Sequence, residues 1–287
     1  MSEIKYPIYL DSHATTPVDP RVFEEMTPYF TEHFGNASSL DHSFGYDASI
    51  AVSEAREKIA KAIGTNMDEI LFTSGATESD NLALLGVMER NKSKGNHLIT
   101  CVTEHKAILD TAKHLEKIGC KVTYLPVDEY GLISLDELKS AITDETVLIS
   151  IMFANNEIGT IQNVSEIGAI AHEHDVLFHT DAAQALGHIP IDVKKMNIDL
   201  MSISSHKIYG PKGIGALYVR SILPRVKINS IVYGGGQERN IRSGTLNVPG
   251  IVGFAKAVEI ALDEMDSENI RFKKWTDGML EQFSKVG

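Results

Sequence analysis

Three short segments of the chain bring together residue types that chemistry needs. Ser74-Gly75-Ala76-Thr77-Glu78-Ser79 sets small residues between an apolar run and a helical pattern. Backbone N–H groups exposed there, at the positive end of a helix dipole, make an anion site suited to phosphate. The plainer alternative is an ordinary strand-to-helix turn with Thr77 as its cap. The segment lacks the Gly-x-x-x-x-Gly-Lys-Ser/Thr spacing of the nucleotide P-loop. Phe178-His179-Thr180-Asp181-Ala182-Ala183-Gln184 sets a carboxylate just past a second apolar run. Burying it is costly unless it meets a cation or strong donors. That cation is a protonated ring nitrogen or a metal, with His179 as a His-x-Asp partner on the same strand face. The metal lacks a third ligand, because His172, Glu173, His174 and Asp175 read as the solvated end of the preceding helix. Ser202 to Gly213 sets Lys207 after a third apolar run, amid hydroxyls and His206. A partly desolvated ammonium loses basicity and forms Schiff bases with aldehydes. Lys212 competes for that role but belongs to a Pro-Lys-Gly turn expected to be exposed. A phosphate cradle, a carboxylate for a ring nitrogen and a Schiff-base lysine are together the requirements of pyridoxal 5′-phosphate.

These segments recur at the ends of strands in a regular alternation. Ala48–Ile63 carries a helical stripe (Ala51, Ala55, Ile59, Ala62) stopped by Gly64, and Ile70–Thr73 is a short strand followed by a helix over 76–89. Strands over 97–103, 121–127, 146–154 and 176–180 then alternate with helices over 105–118, 134–142 and 164–174. Strands over 200–204 and 214–219 follow, and from Pro249 a last helical pattern runs into the more polar segment 266–287. Alternation of this kind predicts an α/β domain with a mostly parallel central sheet flanked by helices, its ligands at the carboxyl ends of the strands.

Composition narrows the function classes. With 43% hydrophobic and 23% charged residues in 287, the chain has the makeup of a globular protein. A net charge of −12 repels phosphate backbones and argues against nucleic acid or an anionic membrane as partner. No stretch approaches the roughly 18 consecutive apolar residues of a membrane span, and the start, Met-Ser-Glu-Ile-Lys-Tyr-Pro, has no apolar signal core. Two cysteines, Cys101 and Cys120, are too few for a disulfide scaffold and suit a reducing, cytoplasmic setting.

Seven motifs, YLDSHATTPVDPRV (9–22), SGATESDNLAL (74–84), TEHKAILD (103–110), NNEIG (155–159), HTDAAQ (179–184), SSHKIYGPKGIGALY (204–218) and GGGQERNIRSGTLN (234–247), run in order along the chain. With them the sequence resembles the group-I cysteine desulfurases of iron–sulfur cluster assembly, class-V aminotransferase-like enzymes of pyridoxal phosphate fold-type I. The resemblance implies an N-terminal arm over 1–15, a cofactor-binding large domain over 16–262, and over 263–287 the start of a small domain whose remainder is missing. It implies Lys207 as the Schiff-base lysine, Asp181 on the pyridinium nitrogen, and Gln184 on the phenolic oxygen. His105 would stack on the ring and assist proton transfer, and Asn156 would contact cofactor or substrate. Ala76, Thr77, Ser204 and His206 would hold the phosphate, closed by Thr245 of a dimer mate. Arg239 and Arg242 read equally as solvated charges or as helpers of phosphate binding at the dimer interface.

The implied activity converts L-cysteine to L-alanine and passes sulfane sulfur, as a persulfide, to an iron–sulfur scaffold or another acceptor such as a tRNA-thiolation partner. In the family a cysteine on a C-terminal loop takes the sulfur and an arginine clamps the substrate carboxylate, both beyond position 287, so the expectation is a chain without its C-terminal part. Cys101 reads as a buried strand residue and Cys120 as part of a remote turn. Ser12-His13 and Ser205 depart from the family pattern at positions expected to supply no chemistry. Two alternatives stay open: another fold-type I lyase or transaminase, and a catalytically incomplete cofactor-binding remnant.

Overall fold

The structure, a computed structural model, describes residues 7–222 and 225–286, so the first six residues of the arm and Gly287 lie outside it. Local chemistry sets where the elements begin. Helix α1 (Pro20–Met26) starts at Asp19, whose carboxylate accepts the Arg21 N–H (2.8 Å), with proline in its first turn. A single turn, α2 (Pro28–Thr31), leads to α3 (Ser43–Ala62), and then β1 (Ile70–Thr73) feeds α4 (Ala76–Arg90). The chain alternates through β2 (His97–Cys101), α5 (Lys106–Lys117), β3 (Lys121–Leu125), α6 (Leu135–Ala141), β4 (Thr146–Ser150), α7 (Val164–Glu173) and β5 (Leu177–Asp181). β6 (Leu200–Ser204), β7 (Gly215–Val219) and the long helix α8 (Val248–Phe283) complete it.

The seven strands form one sheet in the order β1-β7-β6-β5-β4-β2-β3. The pairs from β6 through β5, β4 and β2 to β3 are parallel, whereas β7 runs antiparallel to both β1 and β6. The expected mostly parallel sheet is present, and its β-α alternation placed every strand. Three strands stop at least two residues short of their apolar runs, β3 among them at Leu125 rather than at 127. Regular pairing of β4 stops at Ser150 rather than at 154, although the N–H groups of Ile151 and Phe153 still reach the carbonyls of His179 and Asp181 (3.2 and 2.9 Å). β2 likewise stops at Cys101, with Val102 N–H still on Leu125 O (3.1 Å). The loosened ends of β4 and β2 carry the chain out of the sheet and into the site.

Apart from the half-exposed edge strand β3, both faces of the sheet are buried, which is why its strands read as continuous apolar runs. Ile70 and Phe72 of β1 face a core shared with α1, α3, α7 and α8, while Leu71 faces a second core under α4 and α5. Burying each such side chain contributes roughly 1.5–3 kcal/mol. From residue 263 the chain continues α8 without a break as far as Phe283, and Trp275, Leu280 and Phe283 on it are exposed.

Candidate active site

The carboxyl ends of the strands open into a cavity of about 750 Å³. Ala76, Thr77, His105, Asn156, Asp181, Gln184, Ser204, His206 and Lys207 all line it. Thr245 does not; it is exposed on the glycine-rich loop before α8.

The wall at β1 and α4 is built for an anion. Gly75 takes φ +148°, a conformation that excludes side chains, and caps α4 without any side-chain acceptor, so the first amides of the helix face the cavity. Thr77 is therefore not the cap. Close by, the buried Ser204 hydroxyl has no hydrogen-bond partner. Glu78, on the rim, is restrained: its carboxylate accepts Arg242 Nε (2.6 Å) and Ser74 N–H (2.8 Å). Burial opposes its ionisation, but those hydrogen bonds prevail and hold the carboxyl below the usual range. Arg242 is thus no solvated charge, whereas Arg239 is exposed, with its Nη2 donating to Ile70 O (2.9 Å).

Asp181 ends β5 at the back of the cavity. Burial pushes its carboxyl up, against the pull of the Ala183 N–H (2.9 Å) and of His105 and Lys207. Behind it His179 is fully buried, its Nδ1 on Ser150 Oγ (2.9 Å) and its Nε2 on Ser202 Oγ (3.0 Å). Both ring nitrogens are therefore committed to hydroxyls, away from the cavity. Among the described residues no group of three His, Cys, Asp or Glu side chains is placed to hold a metal ion. His172, read as solvated, instead bonds the buried Asp199 (3.1 Å).

Lys207 lies in a short turn directly after β6 and is half-buried. Burial lowers its basicity, partly offset by Asp181 and Asp11. Its Nζ donates to the carbonyl oxygens of His13 and Ala14, and Gln184 Nε2 also donates to His13 O (2.8 Å). Thr15 Oγ1 pairs with His206 Nδ1 (3.0 Å), and Thr16 N–H donates to His206 O (3.1 Å). The N-terminal arm is thus a wall of the site that residue types did not reveal, since backbone carbonyls do the binding and any residue supplies them. Lys212 is exposed at the rim.

His105 caps α5, its Nδ1 accepting the Ala107 N–H (3.1 Å), which leaves Nε2 to carry the proton of the neutral ring. The amide pair divides its labour. Asn155 braces the turn, accepting the N–H groups of Glu157 and Ile158 (2.8 and 3.0 Å), and Asn156 faces the cavity. Cys101 is buried, its thiol pushed up by burial and Glu104, and neither it nor Cys120 lines the cavity.

Comparison with known proteins gives a consistent result. The sequence pattern of the aminotransferase class-V family matches residues 8–285. The cysteine desulfurase IscS of Rickettsia africae is 54% identical over 290 aligned residues, which take in 100% of this chain and 70% of that protein. Its counterpart in Rickettsia bellii is 56% identical over the same shares. Among solved structures, a NifS-like protein superposes with a TM-score of 0.94 at 44% identity, covering 98% of this chain and 76% of the other. SspA in complex with cysteine superposes with a TM-score of 0.84 at 47% identity, covering 88% and 72%.

Proposed function

Because the chain belongs to the class-V aminotransferase family, in its pyridoxal phosphate-dependent cysteine desulfurase branch, we propose that the cavity at the carboxyl end of the sheet holds that cofactor and L-cysteine together. The reading is carried by one convergence: the uncapped start of α4, the Asp181 carboxyl and the Lys207 amine line the same space. The residues fit the group. The free amides of Ala76 and Thr77, the partnerless Ser204 hydroxyl and His206 suit a phosphate. The Asp181 carboxyl, pushed up by burial and so in want of a cation to favour its charged form, suits a protonated ring nitrogen.

When bound, pyridoxal phosphate supplies an aldehyde for the amine of the lysine or the substrate and a ring that draws electrons away from the substrate. Asp181 would keep the proton on the ring nitrogen. Gln184, held by the His13 carbonyl, would bond the phenolic oxygen. Lys207 Nζ, its basicity lowered by burial, takes and returns the proton at the substrate's Cα. His105 would lie against the ring and would move a proton through Nε2, since Nδ1 is occupied. Asn156 orients the substrate from the opposite wall. The sulfur leaves to a thiol other than Cys101 and Cys120, both outside the cavity.

Thr245, exposed and away from this chain's own cavity, closes the phosphate cup of a second copy, so the working unit is a homodimer. The acceptor is an iron–sulfur scaffold or another sulfur-carrying protein rather than nucleic acid or membrane, in keeping with the net charge of −12. We assign the protein to the cytoplasm, where its two free thiols stay reduced. The test is reconstitution with pyridoxal phosphate, followed by L-cysteine and an assay of alanine with a thiol acceptor added. The parent chain should show a visible cofactor band that changes with cysteine, and Lys207→Ala should lose that band. A band of equal strength in Lys207→Ala would refute the assignment.

A further inference from the structure

Among the buried acids that the site reading leaves unused, Glu104 spans two walls of the cavity. Glu104 lies in the turn between β2 and α5, immediately before His105, and is buried with its carboxyl reaching across to the neighbouring strand end. Its Oε1 accepts the Met152 N–H (2.7 Å) and the Cys101 thiol (3.2 Å). Its Oε2 is buried and has no hydrogen-bond partner. Met152 opens the segment that leads to Asn156, and both residues line the cavity. One further side chain crosses the same gap, Asn155 Nδ2 donating to Thr103 O (2.9 Å).

We propose that Glu104 is a positioning residue for this site: acting as an uncharged acid, it ties the turn that presents His105 to the strand end that presents Asn156. The inference rests on the cofactor reading above and extends it to how the two walls keep their separation. In the uncharged form Oε1 is a carbonyl that accepts both donors, and Oε2 carries the hydrogen, which accounts for an oxygen with no donor aimed at it. The titratable and charged groups facing it are Cys101 on β2, Asp80 on α4 and Asp181 on β5, none of them a cation. Burial, only partly relieved by the Met152 N–H and the Cys101 thiol, and the neighbouring Asp181 push the carboxyl up to about 8. It is therefore protonated at neutral pH, and at alkaline pH it becomes a second anion beside Asp181, with a charged oxygen that nothing satisfies. The tie should then loosen.

The experiment uses the cofactor-loaded chain and its Glu104→Gln, Glu104→Ala and His105→Ala variants. Visible circular dichroism of the bound pyridoxal phosphate, and its dissociation constant, are followed from neutral pH to about pH 9. Gln keeps a carbonyl oxygen and the same shape without the titration. It should match the parent at neutral pH within about threefold in affinity, and it should lack the parent's alkaline change in dichroism. Ala leaves the Met152 N–H without its acceptor and should alter the dichroism and weaken binding about tenfold. Glu104→Gln as impaired as Glu104→Ala, or Glu104→Gln retaining the parent's alkaline transition, overturns the proposal. The second comparison decides the matter even if Glu104→Ala does not fold. A parent-like signal in His105→Ala brings down the site reading and this inference with it. A changed signal in His105→Ala beside a parent-like Glu104→Ala brings down the inference alone.

Discussion

Acidification should destabilise the protein through His179, by an amount that its surroundings set. The imidazole is fully buried between the Ser150 and Ser202 hydroxyls, and burial pushes it down to about 3 from an ordinary 6.5. A base whose folded value is depressed stays neutral in the native state while the unfolded chain takes up a proton. Its contribution is therefore intact above 6.5 and is lost as the pH falls towards 3. Integrating between those values gives a loss of about 2 kcal/mol by pH 5 and about 5 kcal/mol at the acid limit. The buried carboxyls of Asp80, Glu104 and Asp181, all pushed up, have the opposite slope, losing stability as the pH rises. Their effect is present with or without the imidazole, so the difference between the parent and His179→Gln isolates it. Urea unfolding of both proteins at neutral pH and near pH 5 measures that difference, which should shrink by about 2 kcal/mol on acidification. A difference constant to within about 0.5 kcal/mol would refute the reasoning. It would mean that the imidazole charges inside the fold, paired with the Asp80 carboxyl 3.7 Å from its Nε2.

The loop that carries Arg242 and Thr245 is anchored by Glu238, whose carboxylate takes both terminal nitrogens of Arg56 (2.7 and 2.6 Å) and the Phe72 N–H (2.7 Å). Glu238→Ala should cost about 3–5 kcal/mol, because the largely buried guanidinium is left uncompensated. The midpoint of a thermal melt should fall by about 6–15 °C, and a fall below about 2 °C would contradict the anchor. At the strand crossing, a Cβ on Gly215 would meet Ile203 O at 2.5 Å and Gly75 Cα at 2.7 Å. Gly215→Ala should therefore cost about 1–3 kcal/mol and weaken pyridoxal phosphate binding, since the displaced backbone is that of the anion cradle. Parent-like stability and affinity by calorimetry would speak against that role for Gly75.

Much of this arrangement is legible in the residue order, for a definite reason. Apart from β7, the strands all run in one direction, so Ser74-Gly75, Asp181 and Lys207, each just past the apolar run of such a strand, had to converge at one edge. The N-terminal arm escaped the same reasoning because it reaches Lys207 and Gln184 through the carbonyls of His13 and Ala14, which no residue type announces. Glu238 escaped it because a glycine-rich loop reads as exposed. Its carboxylate is buried nonetheless, in a run of left-handed residues (Glu238, Arg239, Asn240) that local preference disfavours.

Asp80 and Glu104 are the more instructive omissions. Asp80 sits between Ser79 and Asn81 and reads as the wet face of a helix, yet α4 buries Ser79 and Asp80 as thoroughly as Leu82 and Leu84. A helix pressed between a sheet and a second helix has little wet face at its start. An acid there is cut off from water, and burial pushes the Asp80 carboxyl up with only the Ser202 hydroxyl to oppose it. Such a placement costs stability, and local sequence rules rightly predict against it. Both exceptions fall beside Asp181 rather than at random in the core, as the charges that Asp80 and Glu104 feel from it attest. The cost is concentrated where it can set the charge and position of the groups that hold a cofactor, which is where departures from local consistency are expected in a working enzyme.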